Sequence, residues 1–229
     1  MVANSGYHSI DEIHLDGQAM SQLFFDILDE KRRAILPSFR FLQGNFYLAG
    51  GTALALQLGH RDSIDFDFFS PNSFSTGELF QELEKNFEVS KLKKIQEEEG
   101  TLTVTVDGVK VSFFHFPYPL VRATVKSEFF DLASIEDIGA MKLSAITSRS
   151  LTKDYVDLYF ILHQVELSAL LDVARHKFPT LETNLLLKSL VYFDDIIEEP
   201  IIFKHNRQVD LSAVSNFLRD LMKKYLSKR

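Results

Sequence analysis

Two aspartates placed two residues apart follow closely on a paired glycine. The segments are Ala49-Gly50-Gly51-Thr52-Ala53-Leu54 and, after a short basic turn, Arg61-Asp62-Ser63-Ile64-Asp65-Phe66-Asp67-Phe68-Phe69. On a strand over Ile64–Phe69, Asp65 and Asp67 point to one side and Ile64, Phe66 and Phe68 to the other, into a core. Adjacent carboxylates repel each other, and a divalent cation turns that cost into a ligand set. Mg²⁺, or Mn²⁺ in its place, combines one or two carboxylates with the phosphates of a substrate. Gly50 and Gly51 allow a phosphate to approach the backbone, and the free N–H groups of a helix starting at Thr52 donate to it. Arg61 and Ser63 are close enough in sequence to hold β- and γ-phosphates. Together these residues suit a metal-bound polyphosphate. No Gly-Lys-Ser/Thr follows the glycines, so an ordinary P-loop ATPase is not expected. Piece by piece, an exposed acidic strand edge and a plain glycine turn explain the same residues.

A second group runs from Met141-Lys142-Leu143 through Arg149 to Lys153-Asp154-Tyr155-Val156-Asp157. On one continuous helix Lys142, Arg149 and Lys153 fall in a narrow stripe, able to neutralise a triphosphate or a leaving pyrophosphate. Ser150-Leu151-Thr152 can interrupt that helix, with Thr152 capping the next. The alternative is a charged solvent face on which Asp154 and Asp157 pair locally.

The elements that must position these groups follow from periodicity. Gln18–Ile35 reads as a helix with Met20, Leu23, Phe24, Ile27 and Leu28 inward. Phe46–Ala49 reads as a short buried strand and Thr52–Leu58 as a helix ended by Gly59. Thr76–Phe87 is helical, its start unmarked by a capping box. Thr101–Val106 and Val109–Phe114 flank Asp107-Gly108, the signal of a type I′ hairpin. Ile95–Gly100 is a solvated acidic strand or turn. Beyond residue 134 the pattern is helical throughout: Ser134–Ser148 with Ser134 and Asp137 as a capping pair, then 152–165, 167–176, 184–197 and 211–225. Strands with helices come first and helices alone follow, giving an α+β (or α/β-like) fold with residues 1–130 as a core carrying an N-terminal helix and 131–229 as a helical domain contributing to the cleft.

The 229 residues are 45% hydrophobic and include 21 Phe, enough for a folded core, and the absence of cysteine excludes disulfides, thiolate metal sites and cysteine nucleophiles. His60 and His115 show no metal-ligand spacing, which disfavours a metal phosphoesterase. The formal charge of −7 disfavours a broad nucleic-acid-binding face but leaves room for a local basic cleft. The Met1–Gly6 start resembles no signal peptide and no stretch is apolar enough to span a membrane, so a cytoplasmic protein without membrane contact is expected.

Together the segments resemble the nucleotidyltransferase family named after the AbiEii/AbiGii toxins, a branch of the DNA polymerase beta-like superfamily. The resemblance rests on Gly50-Gly51-Thr52-Ala53-Leu54, on His60-Arg61, Ser63, Asp65 and Asp67-Phe68-Phe69, and on Asp137-Ile138, Ala140-Met141-Lys142-Leu143, Ala145-Ile146, Arg149, Lys153-Asp154 and Asp157-Leu158; it spans residues 45–165. It implies a mixed-sheet nucleotidyltransferase core followed by helices, with Mg²⁺ and a nucleoside triphosphate. It also implies the toxin half of a toxin–antitoxin pair, with a cognate antitoxin protein as partner. The reaction implied moves an NMP group to an acceptor hydroxyl on an RNA 3′ end, tRNA included, or on a protein side chain. Asp65 and Asp67 would bind the metal, and Gly50, Gly51, Thr52 and Ser63 would grip the phosphates. Lys142, with Arg61, Arg149 and Lys153 nearby, would balance the charge of the departing pyrophosphate. The departure is the third acidic position, on the strand after the Asp-x-Asp strand, where Ser112 stands. Asp107 lies in the hairpin turn, so Asp154 or Asp157 would have to supply the missing carboxylate from the helical half. A catalytically degenerate protein that binds nucleotide or an antitoxin is the alternative.

Overall fold

The computed structural model describes residues 22–228. A mixed seven-stranded sheet is built from β1 (Tyr47–Ala49), β2 (Phe66–Ser70), β3 (Leu92–Glu98), β4 (Thr101–Val106), β5 (Val109–His115), β6 (Val125–Lys126) and β7 (Asp131–Leu132), in the order β3-β4-β5-β2-β1-β7-β6. The helices are α1 (Glu30–Ile35), α2 (Gly50–Leu58), α3 (Thr76–Asn86), α4 (Ile135–Ala145), α5 (Thr152–Leu162), α6 (Leu167–Lys177), α7 (Thr183–Leu190) and α8 (Leu211–Ser227). The mixed-sheet α+β core followed by helices is thus the fold the sequence predicted.

At the centre, β2 pairs antiparallel with β1 and parallel with β5. Strand alternation then sorts the side chains. Phe66, Phe68 and Phe113 are completely buried on one face, where Phe39 lies 5.3 Å from Phe66 and 5.0 Å from Phe68 between ring centroids. Asp67, Phe69, Ser112 and Phe114 take the opposite face. Asp107 and Gly108 both have positive φ (50° and 82°), as a type I′ turn requires, and this fixes the β4–β5 register. Helix α4 packs on α5 and α6 and reaches back to α2, while α8 covers α5 through Phe217 against Tyr159.

Several boundaries differ from expectation for local reasons. Gln18–Ser21 lie outside the described residues; beyond them, the expected single helix to Ile35 is a 3₁₀ turn at Phe25–Ile27 followed by α1. Leu28 is extended, and Asp29 begins α1 afresh by accepting the Arg32 N–H at 2.8 Å. Ser75, not Thr76, caps α3. Ile64 is not a core residue but 68% exposed, because β2 starts only at Phe66. The helix expected over 184–197 stops at Leu190, where the Tyr155 hydroxyl bonds the Ser189 and Tyr192 carbonyls; Ile197 then pairs with the 150–152 segment through its own N–H and C=O. Helix α4 ends at Ala145, so no continuous helix joins Lys142 to Lys153.

Phe39 touches four rings of the core (Phe66, Phe68, Phe87 and Phe130). Phe39→Ala is expected to cost about 3–5 kcal/mol, read as a lowered denaturant midpoint with little change in slope.

Candidate active site

The glycine pair sits where β1 hands over to α2. Ala49 is extended and Gly50 turns with φ 68°, a conformation that L side chains rarely adopt. A Cβ on Gly50 would stand 3.4 Å from Asp67 Oδ2, and one on Gly51 would stand 2.8 Å from Arg61 Nη2 and 3.1 Å from Ser63 Oγ. Glycine is therefore the residue that fits Gly51 without displacing Arg61. The buried Thr52 shares a 2.8 Å hydrogen bond with Ser63 Oγ and donates to the Asp65 carbonyl, tying the helix start to the approach to β2. From the other side Arg32 donates to Asp62 Oδ1 at 2.7 Å and to the Ser63 carbonyl. These ties replace strand structure over 62–65 and present Asp65 just ahead of β2.

Asp67 lies in register between Ala49 of β1 and Ser112 of β5. Its carboxyl is pushed up by burial and by Asp65, against the pull of Lys110, Lys142 and Arg149. Among the described residues no side chain donates a hydrogen bond to it, whereas Asp65 has Lys110 at 3.7 Å. Ser112, at the third acidic position, is 1% exposed and its hydroxyl is 3.4 Å from that of Thr103.

Behind the glycine turn lies a buried ion network. Arg61 grips Asp157 with two bonds, Nε to Oδ1 and Nη2 to Oδ2, both 2.7 Å. Lys142 Nζ stands 2.7 Å from both Asp154 Oδ1 and Asp157 Oδ2, and Arg149 Nε donates to Asp154 Oδ2 at 2.9 Å. Burial alone would raise the Asp157 carboxyl; Arg61, Lys142 and a hydrogen bond to His60 hold it well below the usual carboxylate range. His60, whose ring nitrogen is 2.8 Å from Asp157, is pushed down by burial and by Arg61 and Lys142, against the pull of Asp157. Lys142 and Arg149 do converge, through the carboxylates of α5 rather than along one helix. The alternative of a charged solvent face with local pairing does not hold: Asp154 and Asp157 are buried, and Asp157 pairs with His60 and Arg61 from the far side of the sequence.

Two connected lobes meet over Gly51, Asp67, Lys142 and Arg149. A polar lobe of about 300 Å³ is bounded by Arg61, Ser63, Asp65, Lys153 and Asp154, with the strap at Glu199–Ile202 along its rim. Lys153 pairs across it with Glu199 at 3.4 Å. A larger lobe of about 670 Å³ is walled by Phe69, Phe114, Phe116, Tyr118, Met141 and Phe178. Of the residues singled out from sequence, Gly50, Gly51, Arg61, Ser63, Asp65, Asp67, Lys142, Arg149, Lys153 and Asp154 border one lobe or both; Thr52 and Asp157 lie behind them. The sequence did not point to Arg32, to the strap or to the aromatic wall. Arg32 interrupts an otherwise apolar stripe, a weak signal, and the wall is assembled from β2, β5, its following loop and the end of α6, which no spacing reveals.

The family described as nucleotidyl transferase AbiEii toxin, type IV toxin–antitoxin system, matches residues 34–226. The chain belongs to this AbiEii family. An uncharacterized protein of Aquifex aeolicus is 37% identical over 161 residues, covering 68% of this chain and 77% of its own. Among solved structures, the nucleotidyltransferase toxin MenT4 of Mycobacterium tuberculosis superposes with a TM-score of 0.55 at 16% identity, covering 83% of this chain and 80% of MenT4. Helicobacter pylori JHP933 does so with a TM-score of 0.55 at 19% identity, covering 90% and 95%. At these identities the structural likenesses show a common fold. No described helix is long and apolar enough to cross a membrane.

The buried network predicts a pH signature. Asp157→Asn leaves Arg61 and Lys142 short of their counter-charge and is expected to cost about 3–5 kcal/mol at neutral pH. Because the folded carboxyl is depressed, its contribution is complete above about pH 4 and is lost as pH falls towards the folded value. Urea titrations of both proteins from pH 7 to 3 should show the gap narrowing in that acid range; a gap independent of pH would contradict the assignment.

Proposed function

We propose that the chain is a metal-dependent nucleotidyltransferase that moves an NMP group from an NTP to an acceptor hydroxyl, acting as the toxin of a toxin–antitoxin pair. The observation that carries this is Asp67: a largely buried carboxylate with no hydrogen-bond donor among the described residues, at the junction of a basic lobe and an aromatic one. Its neighbour Asp65 is half-exposed. Among the described residues no cluster of three or more His, Asp or Glu side chains could enclose a metal alone. Two carboxylates facing an open lobe fit a hard cation that completes its shell with phosphate oxygens, as Mg²⁺ or Mn²⁺ does.

When bound, that cation supplies Lewis-acid polarisation of the phosphates. Asp65 and Asp67 hold it. The α2 start at Gly51, the Ser63 hydroxyl and the edge of Arg61 receive the β- and γ-phosphates, and the aromatic lobe takes the nucleoside. The acceptor hydroxyl oxygen attacks the α-phosphorus as its proton passes to solvent water, the bond from that phosphorus to the oxygen bridging to the β-phosphate breaks, and pyrophosphate leaves towards Lys142, Arg149 and Lys153. Asp154 and Asp157 hold Lys142, Arg61 and Arg149 in place, a positioning role and not that of a third metal ligand. The acceptor is an RNA 3′ end, tRNA among them, or a protein hydroxyl.

Ser112 favours a second reading, a nucleotide-binding protein without transfer activity, because a neutral hydroxyl is a poor metal ligand and base. One experiment separates the two. α-³²P-labelled NTPs and Mg²⁺ are offered with total RNA, tRNA and total protein. Label should enter one acceptor class, vanish with EDTA, and fall at least about 100-fold in Asp65→Asn and Asp67→Asn with melting temperature retained. Tight NTP–Mg²⁺ binding without any labelled acceptor would establish the second reading; no binding at all would end both.

A further inference from the structure

Asp137 and Lys177 form a second buried ion pair, 2.9 Å from carboxylate to ammonium, with both side chains fully enclosed and neither bordering the cleft. Apart from the Ser134 hydroxyl, which donates to Asp137 Oδ2 at 3.2 Å, its remaining side-chain bonds go to one segment. Asp137 accepts the backbone N–H of Val121 at 3.0 Å and of Arg122 at 2.9 Å, and Lys177 donates to the Pro119 carbonyl at 2.7 Å. The segment from Phe116 to Thr124 connects β5 to β6 and has no regular structure of its own. Pro117 and Pro119 lack the N–H groups that would let it join a sheet. It nevertheless supplies Phe116 and Tyr118 to the aromatic lobe, packed 6.1 Å and 4.9 Å from the ring of Phe178. Each partner of the pair is also followed directly in sequence by a lobe residue, Asp137 by Ile138 and Lys177 by Phe178.

We propose that the Asp137–Lys177 pair is a positioning clamp that seats the 116–124 segment and thereby sets the affinity of the aromatic lobe for the nucleoside part of the NTP. The proposal rests on the nucleotide site argued above. A buried ion pair adds little net stability over an apolar substitute, but it fixes direction, here that of two backbone amides and one carbonyl. The polar lobe is held separately, by Arg61, Asp157 and Lys142, so the clamp governs one lobe and leaves the other alone.

The test uses four forms of the full chain: wild type, Lys177→Met, Asp137→Asn and the double variant. The double variant leaves no lone buried charge and guards against misfolding of the singles. Calorimetric titration with Mg²⁺ compares α,β-methylene analogues of the four NTPs with inorganic tripolyphosphate. The clamp predicts NTP-analogue Kd raised about tenfold in the double variant, with tripolyphosphate affinity held within about twofold. Hydrogen exchange at Val121 and Arg122 should accelerate, while that of β2 and α2 is preserved. Equal weakening of both ligands would mean a merely structural pair, and unchanged analogue binding would mean no role in the lobe; either overturns the clamp. If the wild type binds tripolyphosphate but no analogue, the aromatic lobe is not a nucleoside site and the clamp falls with it. Failure of the wild type to bind any of these ligands would instead overturn the nucleotide site itself.

Discussion

The Asp157 carboxylate is enclosed between the segment that follows α2, the helix α4 and its own helix α5, with Arg61, Lys142 and His60 closed upon it. Such a group is costly to bury and pays its way only if every charge is met. What the arrangement secures is geometry more than stability. Arg61 cannot rotate away without breaking two short bonds, and its Nη2 therefore stays against the backbone of Gly51. Lys142 is caught between Asp154 and Asp157 and remains at the junction of the two lobes. One carboxylate on the helical half thus fixes both the floor of the glycine turn and a cation at the junction where Asp67 lies.

The sheet contributes the complementary constraint. Asp67 projects from the face opposite the Phe66–Phe68–Phe113 core, and its register neighbours are the small residues Ala49 and Ser112. Small flanks leave the carboxylate standing clear on both sides, while Gly50 lets it approach the turn without a Cβ between them. The raised Asp67 carboxyl is the electrostatic mark of this position: desolvated, beside another acid, and with Lys110, Lys142 and Arg149 acting at a distance. A cation arriving with phosphates would relieve both causes of the shift at once.

Legibility followed the range of the forces involved. The Asp107-Gly108 hairpin, the Gly50-Gly51 turn, the Ser134 cap and the α5 apolar face are decided within a few residues, and sequence spacing captured them. The helix expected up to Ile35 broke because Leu28 turned extended and the Asp29 cap started a new helix, although Ile27 and Leu28 kept their inward role. The helix expected to reach Ile197 ended where a tyrosine from α5 took its carbonyls, a contact more than thirty residues distant in the chain. Ile64 looked like the first core residue of β2, yet Arg32 and Thr52 hold its surroundings outside the strand. In the site, the acidic pair and the basic residues were visible as types. Their pairing was not, because Arg61–Asp157 and Lys142–Asp154 are tertiary events. The aromatic lobe left no trace in any local pattern.

Ser112 bears on how the charges at this centre balance. Neighbouring strands run about 4.8 Å apart, so a carboxylate at that position would have stood directly beside Asp67 on the same face. Asp67 is already raised by burial and by Asp65, and a third acid would have pushed it further. The nearby cations are largely committed: Lys142 and Arg149 to Asp154, Arg61 to Asp157, Lys153 to Glu199. With serine in place, the charges of Asp65 and Asp67 would balance those of the one divalent ion of the proposed function. Holding a nucleotide donor and activating an acceptor are separable tasks on this sheet. Under the proposed function the first falls to residues from α2, the segment after it, β2, α4 and α5, whereas the strand that would carry the second presents a hydroxyl bonded to Thr103. On that reading the architecture serves the grip on a nucleotide donor more than the activation of an acceptor.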